Sequence, residues 1–127
     1  MDQVKFTRRL RGRTTVVGPG VLDAELFARG TRVASRLVFS DESTFSEEGT
    51  IDFGGGDALR FRSLDDGRLE EAPGGEIRHG ASVLEVAEGR GRYAGARGRI
   101  TSNFVLSPDG EITDEQVVVV FIDGEEE

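Results

Sequence analysis

Glycine-bearing turns cut this chain into short segments, and no stretch between them keeps a helical apolar period. Gly18-Pro19-Gly20, Arg29-Gly30, Gly54-Gly55-Gly56-Asp57, Asp65-Asp66-Gly67, Pro73-Gly74-Gly75 and Pro108-Asp109-Gly110 carry the residue types that tight turns demand. Glycine supplies positive φ, proline a preset φ, and aspartate a bond to its own backbone. Eighteen glycines against three prolines, in this arrangement, predict an all-β domain with little helix. Strands are expected at 3–10, 14–17, 20–28, 31–39, 43–53, 58–64, 77–87, 92–106 in one or two pieces, and 112–122. Neighbours joined by short turns pair antiparallel. A closed up-and-down β-barrel of about eight strands then removes the exposed edges, with a sandwich as the alternative that pattern alone leaves open.

Alternation assigns faces to these strands. Val33, Ser35, Leu37 and Phe39 share one side of 31–39 while Arg32, Ala34 and Arg36 share the other, and Leu59 and Phe61 oppose Arg60 and Arg62. Phe45 and Phe53 join the apolar side. In 99–106 the row Ile100, Ser102, Phe104 and Leu106 makes Ser102 its polar member. The largely apolar interior this predicts is lined by Val33, Ser35, Leu37, Phe39, Phe45, Phe53, Phe61 and Phe104. Such a lining is either an ordinary core or the wall of a pocket, since small barrels are filled by side chains or hold one small ligand. The run Val117-Val118-Val119-Val120-Phe121-Ile122 is apolar at both parities. Its outer face calls for cover, and a homo-oligomer, most simply a dimer through 117–122, supplies it.

The 127 residues fit one domain over 1–123, followed by an acidic tail, 124–127, with no apolar anchor. A net charge of −8 disfavours nucleic acid as a partner, and the basic residues Lys5, Arg8, Arg9, Arg11 and Arg13 read as part of a strand rather than a binding arm. With no cysteine, disulfides and thiolate chemistry are excluded. No segment resembles a signal peptide or reaches the ~20 apolar residues of a membrane-spanning helix, so a cytoplasmic protein without membrane contact is expected.

Chemistry-bearing groups are few. His79, the single histidine, lacks a second histidine or a cysteine for a metal site, which leaves an acid–base role or a structural one at a bulge. Asp23 and Glu25 share one face of 20–28 at roughly 7 Å spacing, as paired carboxylates would. Solvation, or pairing with Arg32 or Arg36 across the hairpin, is the simpler account. Asp109, Glu111 and Asp114 lack the spacing of a calcium loop and read as a polar turn. Neither a metal nor a cofactor is expected.

Gly89, Gly91, Gly95 and Gly98 bracket Tyr93 and lead into the strand-like run Arg99 to Phe104. Such spacing suits a tightly bent strand pair at a barrel mouth, with Tyr93 on the closing hairpin, and no helix follows to bind a phosphate. This hairpin, with Gly75 to Val86 before it and Pro108-Asp109-Gly110-Glu111 after it, resembles the second half of bacterial allene oxide cyclase-like barrels. Asp23-Ala24-Glu25-Leu26-Phe27 followed by Gly30-Thr31 is similar to the early hairpin of the spirotetronate cyclases, the cofactor-free Diels–Alder members of that superfamily. The likeness covers most of 20–122, although this chain has no tryptophan to match the one that lines their pocket. It implies a cofactor-free cyclase or isomerase that folds an unsaturated polyketide-like or polyene intermediate inside an apolar lumen, with Tyr93, Ser102 or His79 orienting a carbonyl. A non-catalytic barrel binding an apolar small molecule is the rival, and a filled barrel with a purely structural role is the third.

Overall fold

The computed structural model describes residues 2–122. Nine strands are present among them: β1 (Asp2–Gly18), β2 (Val21–Ala28), β3 (Thr31–Phe39), β4 (Thr44–Gly54), β5 (Asp57–Ser63), β6 (Gly67–Glu71), β7 (Arg78–Arg90), β8 (Arg97–Leu106) and β9 (Glu111–Ile122). Every pairing is antiparallel. Eight strands close a ring in the order β1, β2, β3, β4, β5, β7, β8, β9, with β9 returning to β1. The ninth, β6, lies between β4 and β7 just as β5 does, pairing Phe45 with Gly67 and Arg68 with Ala81. β5 and β6 therefore form one interrupted stave, broken at Leu64–Asp66.

Several boundaries differ from the sequence expectation. Segments 3–10 and 14–17 are one strand, because β1 pairs with β9 over Asp2–Arg13 and with β2 from Arg11 onward, so its middle is held on both edges. β6 was not anticipated; its glycine-led five residues are too short to show alternation. Between β7 and β8 the chain makes a 3₁₀ turn at Gly91–Tyr93 instead of continuing as strand. Tyr93 is buried there and packs on Phe53, ring centroids 5.0 Å apart, which closes that end of the barrel. The expected acidic tail, 124–127, lies outside the described residues.

Alternation holds inside the ring. Leu10, Leu26, Val33, Leu37, Phe45, Ile51, Leu59, Phe61, Leu84, Ile100, Phe104, Val118 and Val120 are buried in one core. Charged residues line the outer face, where Arg9–Glu115, Arg13–Glu111, Arg36–Asp23, Arg60–Glu88 and Arg62–Glu85 pair across neighbouring strands. Arg32 pairs with Glu25. Asp23 and Glu25 are therefore outward partners of arginines, and the Arg36 hydrogen bond holds the Asp23 carboxyl below its ordinary pKa. Such exposed pairs contribute little each and serve register more than stability.

The apolar run of β9 divides cleanly. Val118 and Val120 are fully buried, while Val117 and Phe121 stand outside, 38% and 39% exposed. No helix among the described residues is long and apolar enough to cross a membrane.

Close strand contact depends on Gly12, where an added Cβ would lie 1.7 Å from the Glu25 carbonyl oxygen. Backbone on that side cannot yield without separating β1 from β2. Gly12→Ala is expected to lower stability by at least about 2 kcal/mol in a denaturant melt. Gly18→Ala, at a position with nothing within 4 Å, should change it by under about 0.5 kcal/mol. Equal effects of the two would contradict this account of the crossing.

Candidate active site within the barrel

Three strands each place a charged group on the inward row. On β1 the row is Val4, Phe6, Arg8 and Leu10; on β4 it is Phe45, Glu47, Gly49 and Ile51; on β9 it is Ile112, Asp114, Gln116 and Val118. β3, β7 and β8 add Ser35, Ser82 and Ser102, all buried. Strand register sets Arg8 opposite Gln116, Gln116 opposite Ser102, and Ser102 opposite Ser82, so four of these groups lie side by side along one wall. The polar belt sits between two aromatic layers. Phe39, Phe45 and Phe104 stack toward one end, with centroids 5.3 and 5.9 Å apart, and Phe6, Phe53 and Tyr93 fill the other.

The two carboxyl groups are unusual in their surroundings. Asp114 is buried, accepts a 2.7 Å hydrogen bond from Ser102 Oγ, and accepts another from Gln116 Nε2 at 3.1 Å. Burial outweighs these donors and pushes its pKa up to about 6. Glu47 has weaker help, a 3.5 Å contact from Ser82 Oγ. Burial, reinforced by the charge of Asp114, pushes Glu47 up to about 7, against the hydroxyls of Ser35 and Ser82. The Ser35 Oγ has no formed hydrogen bond among the described residues, so it acts on Glu47 only from longer range. Glu47 is walled in by protein yet remains partly accessible. Near neutral pH the pair thus offers one carboxyl that readily gives up a proton and one that readily takes one.

The anticipated residues are distributed unevenly around this belt. Ser102 belongs to it, as the donor to Asp114. Tyr93 stands apart, in the aromatic cap at the far end. His79 is exposed on the outer side of β7, opposite Glu70 and Val105, because Gly80 and Ser82 take the inward positions. It is therefore separated from the interior by the wall itself. Of the expected lining, Val33, Ser35, Leu37, Phe45, Phe61 and Phe104 are buried inside, with Phe39 and Phe53 half-buried toward opposite ends.

Five residues of the polar belt were missed: Arg8, Glu47, Ser82, Asp114 and Gln116. Asp114 had been grouped with Asp109 and Glu111 as a turn. Only Asp109 does turn work, accepting from Ser107 Oγ and from the Glu111 backbone N–H, while Asp114 is two alternations along and faces in. No cluster able to hold a metal occurs among the described residues. A concavity of about 980 Å³ opens at the Phe39 end, bounded by Pro19, Leu22, Phe39, Glu42 and Leu69. No family model matches the chain, and no curated protein or solved structure does.

Raised carboxyl pKa values have a definite sign. The folded barrel binds these protons more tightly than the unfolded chain, so the stability they contribute is complete below about pH 4. It is lost as pH rises through about 6 for Asp114 and about 7 for Glu47. Glu47→Gln is expected to gain stability over the wild type between pH 5 and 8, reaching roughly 1–3 kcal/mol at pH 8. Parallel stability curves for the two proteins across that interval would show that Glu47 does not titrate inside the barrel.

Proposed function

We propose that this barrel is a cofactor-free cyclase or isomerase acting on an unsaturated, polyketide-like or polyene molecule in its interior. The observation that carries this reading is the enclosed Glu47–Asp114 pair, set between aromatic layers. In the neutral form, Glu47 donates a hydrogen bond to a substrate carbonyl and polarises the alkene conjugated with it. Asp114, oriented by Ser102 and Gln116, serves as the complementary base where a proton must leave carbon. A pericyclic closure needs only the first of these, together with aromatic walls that hold the chain folded. The resemblance to allene oxide cyclase-like barrels agrees with such chemistry, and the lack of cysteine fits a cytoplasmic setting.

Close aromatic filling at both ends favours a second reading, a barrel that binds an apolar small molecule without converting it. Turnover separates the two. A linear 1,3-diene tethered to an enone should lose its diene absorbance faster with protein than without, giving a product of unchanged mass. Glu47→Gln is expected to slow that reaction about tenfold or more, and Phe61→Ala comparably, with His79→Ala unchanged. Binding of the diene with no rate above background would leave the carrier reading in place of the enzyme.

Assembly belongs to the same proposal. Val117, Val119 and Phe121 on the outer side of β9 form the face through which two copies would pair. Val117→Lys together with Val119→Lys should convert a sedimenting dimer to monomer, and a wild type that sediments as a monomer at micromolar concentration would remove the dimer.

A further inference from the structure

Arg8 is the one basic side chain that the inward rows hold shielded within the barrel, since Arg78, on the row of Gly80 and Ser82, is exposed at the end of β7. Its guanidinium carbon lies 5.2 Å from the Phe6 ring centroid and 5.4 Å from that of Phe53. Those rings belong to β1 and β4, so the group extends from its own strand toward the opposite wall. Aromatic faces support the guanidinium but offer its N–H groups no acceptor. Its Nε is buried without an acceptor among the described residues, and no carboxylate among them pairs with it. Directly opposite on β9, the buried Gln116 turns Nε2 to Asp114 and leaves Oε1 without a donor.

An arginine never sheds its charge to escape burial, and an unmet charged donor is costly. Two orphaned polar atoms at facing positions mark a place where something else completes the bonding. We infer that Arg8 anchors the carboxylate of an apolar carboxylic acid held in the barrel. The planar guanidinium edge meets a carboxylate through parallel N–H···O bonds, and Gln116 Oε1 accepts from a water beside it. This inference names the acid class of ligand for the site proposed above and rests on the interior being that site. It is read by binding alone, so it stands or falls separately from turnover.

The experiment uses the full chain with cis-parinaric acid, a fluorescent polyene acid, and its methyl ester. The wild type is expected to bind the acid at least about tenfold more tightly than the ester. Arg8→Met should erase that preference by weakening acid binding and leaving ester binding as it was. Should Arg8→Met fail to fold, Arg8→Lys, which keeps the charge but loses the planar fork, must reduce the preference severalfold. Equal binding of acid and ester, binding of neither, or an acid preference that survives loss of the guanidinium overturns the inference. Ester binding that persists in that case leaves the apolar interior site intact without its anchor.

Discussion

Closure of the ring through β1 and β9 is the constraint on which the rest depends. Twelve residue pairs, from Asp2–Ile122 to Arg13–Glu111, join the two ends of the chain and abolish the edges that an open sheet would expose. Once that seam is set, the two-residue period leaves no freedom about which side chains enter the interior. A slip by one residue would send Arg9, Glu115 and Val117 inward and expose Leu10, Val118 and Val120. The outer cross-strand pairs oppose such a slip, since Arg9 meets Glu115 and Arg13 meets Glu111 only in the observed register. Weak surface pairs thereby specify the alignment that buries the strong apolar contacts.

The same strict alternation makes the interior polar groups informative. A core assembled for stability alone would fill those positions with apolar side chains, because a buried carboxylate loses several kcal/mol of hydration that a few hydroxyl donors only partly restore. Here the inward rows devote places to Arg8, Glu47, Asp114 and Gln116, beside three buried serines, within a largely aliphatic and aromatic core. Asp114 recovers part of its hydration from Ser102 and Gln116; Glu47 recovers less and rises further. The neutral form of Glu47 is thus the form that the barrel favours at mildly acid pH. A carboxylic acid kept neutral becomes a hydrogen-bond donor, which an ionised glutamate cannot be.

Much of the fold was legible from turn chemistry and period, and the reasons for the misses are local. The glycine turns located most strand ends, and the face of β3 was read correctly from Val33 to Phe39 because arginines alternate with apolar residues there. β1 was harder: Gly12 and the threonines after it give no apolar marker, so its continuity is visible only through its partners on both sides. The interior acids are marked in the sequence by parity alone, because charged residues otherwise stand on the solvent face of these strands. Glu47 falls on the row of Phe45 and Phe53, and Asp114 and Gln116 fall between Ile112 and Val118, so parity alone places them inside. In β9 the unbroken apolar run hid that parity, since Val117 and Val118 look alike in composition while one is exposed and the other fully buried.

Gln116 ties the two halves of the interior together. Its amide nitrogen is committed to Asp114, and that bond fixes which way the amide lies. The carbonyl end is left without a donor, and Arg8 stands opposite in register. Rotating the amide to satisfy Oε1 from elsewhere would set an oxygen against the Asp114 carboxylate, a repulsive contact whenever that group is ionised. The carboxyl pair and the arginine are consequently not independent insertions into a core. The Gln116 amide thus joins the buried carboxyl to the wall that carries Arg8, through one side chain and one hydrogen bond.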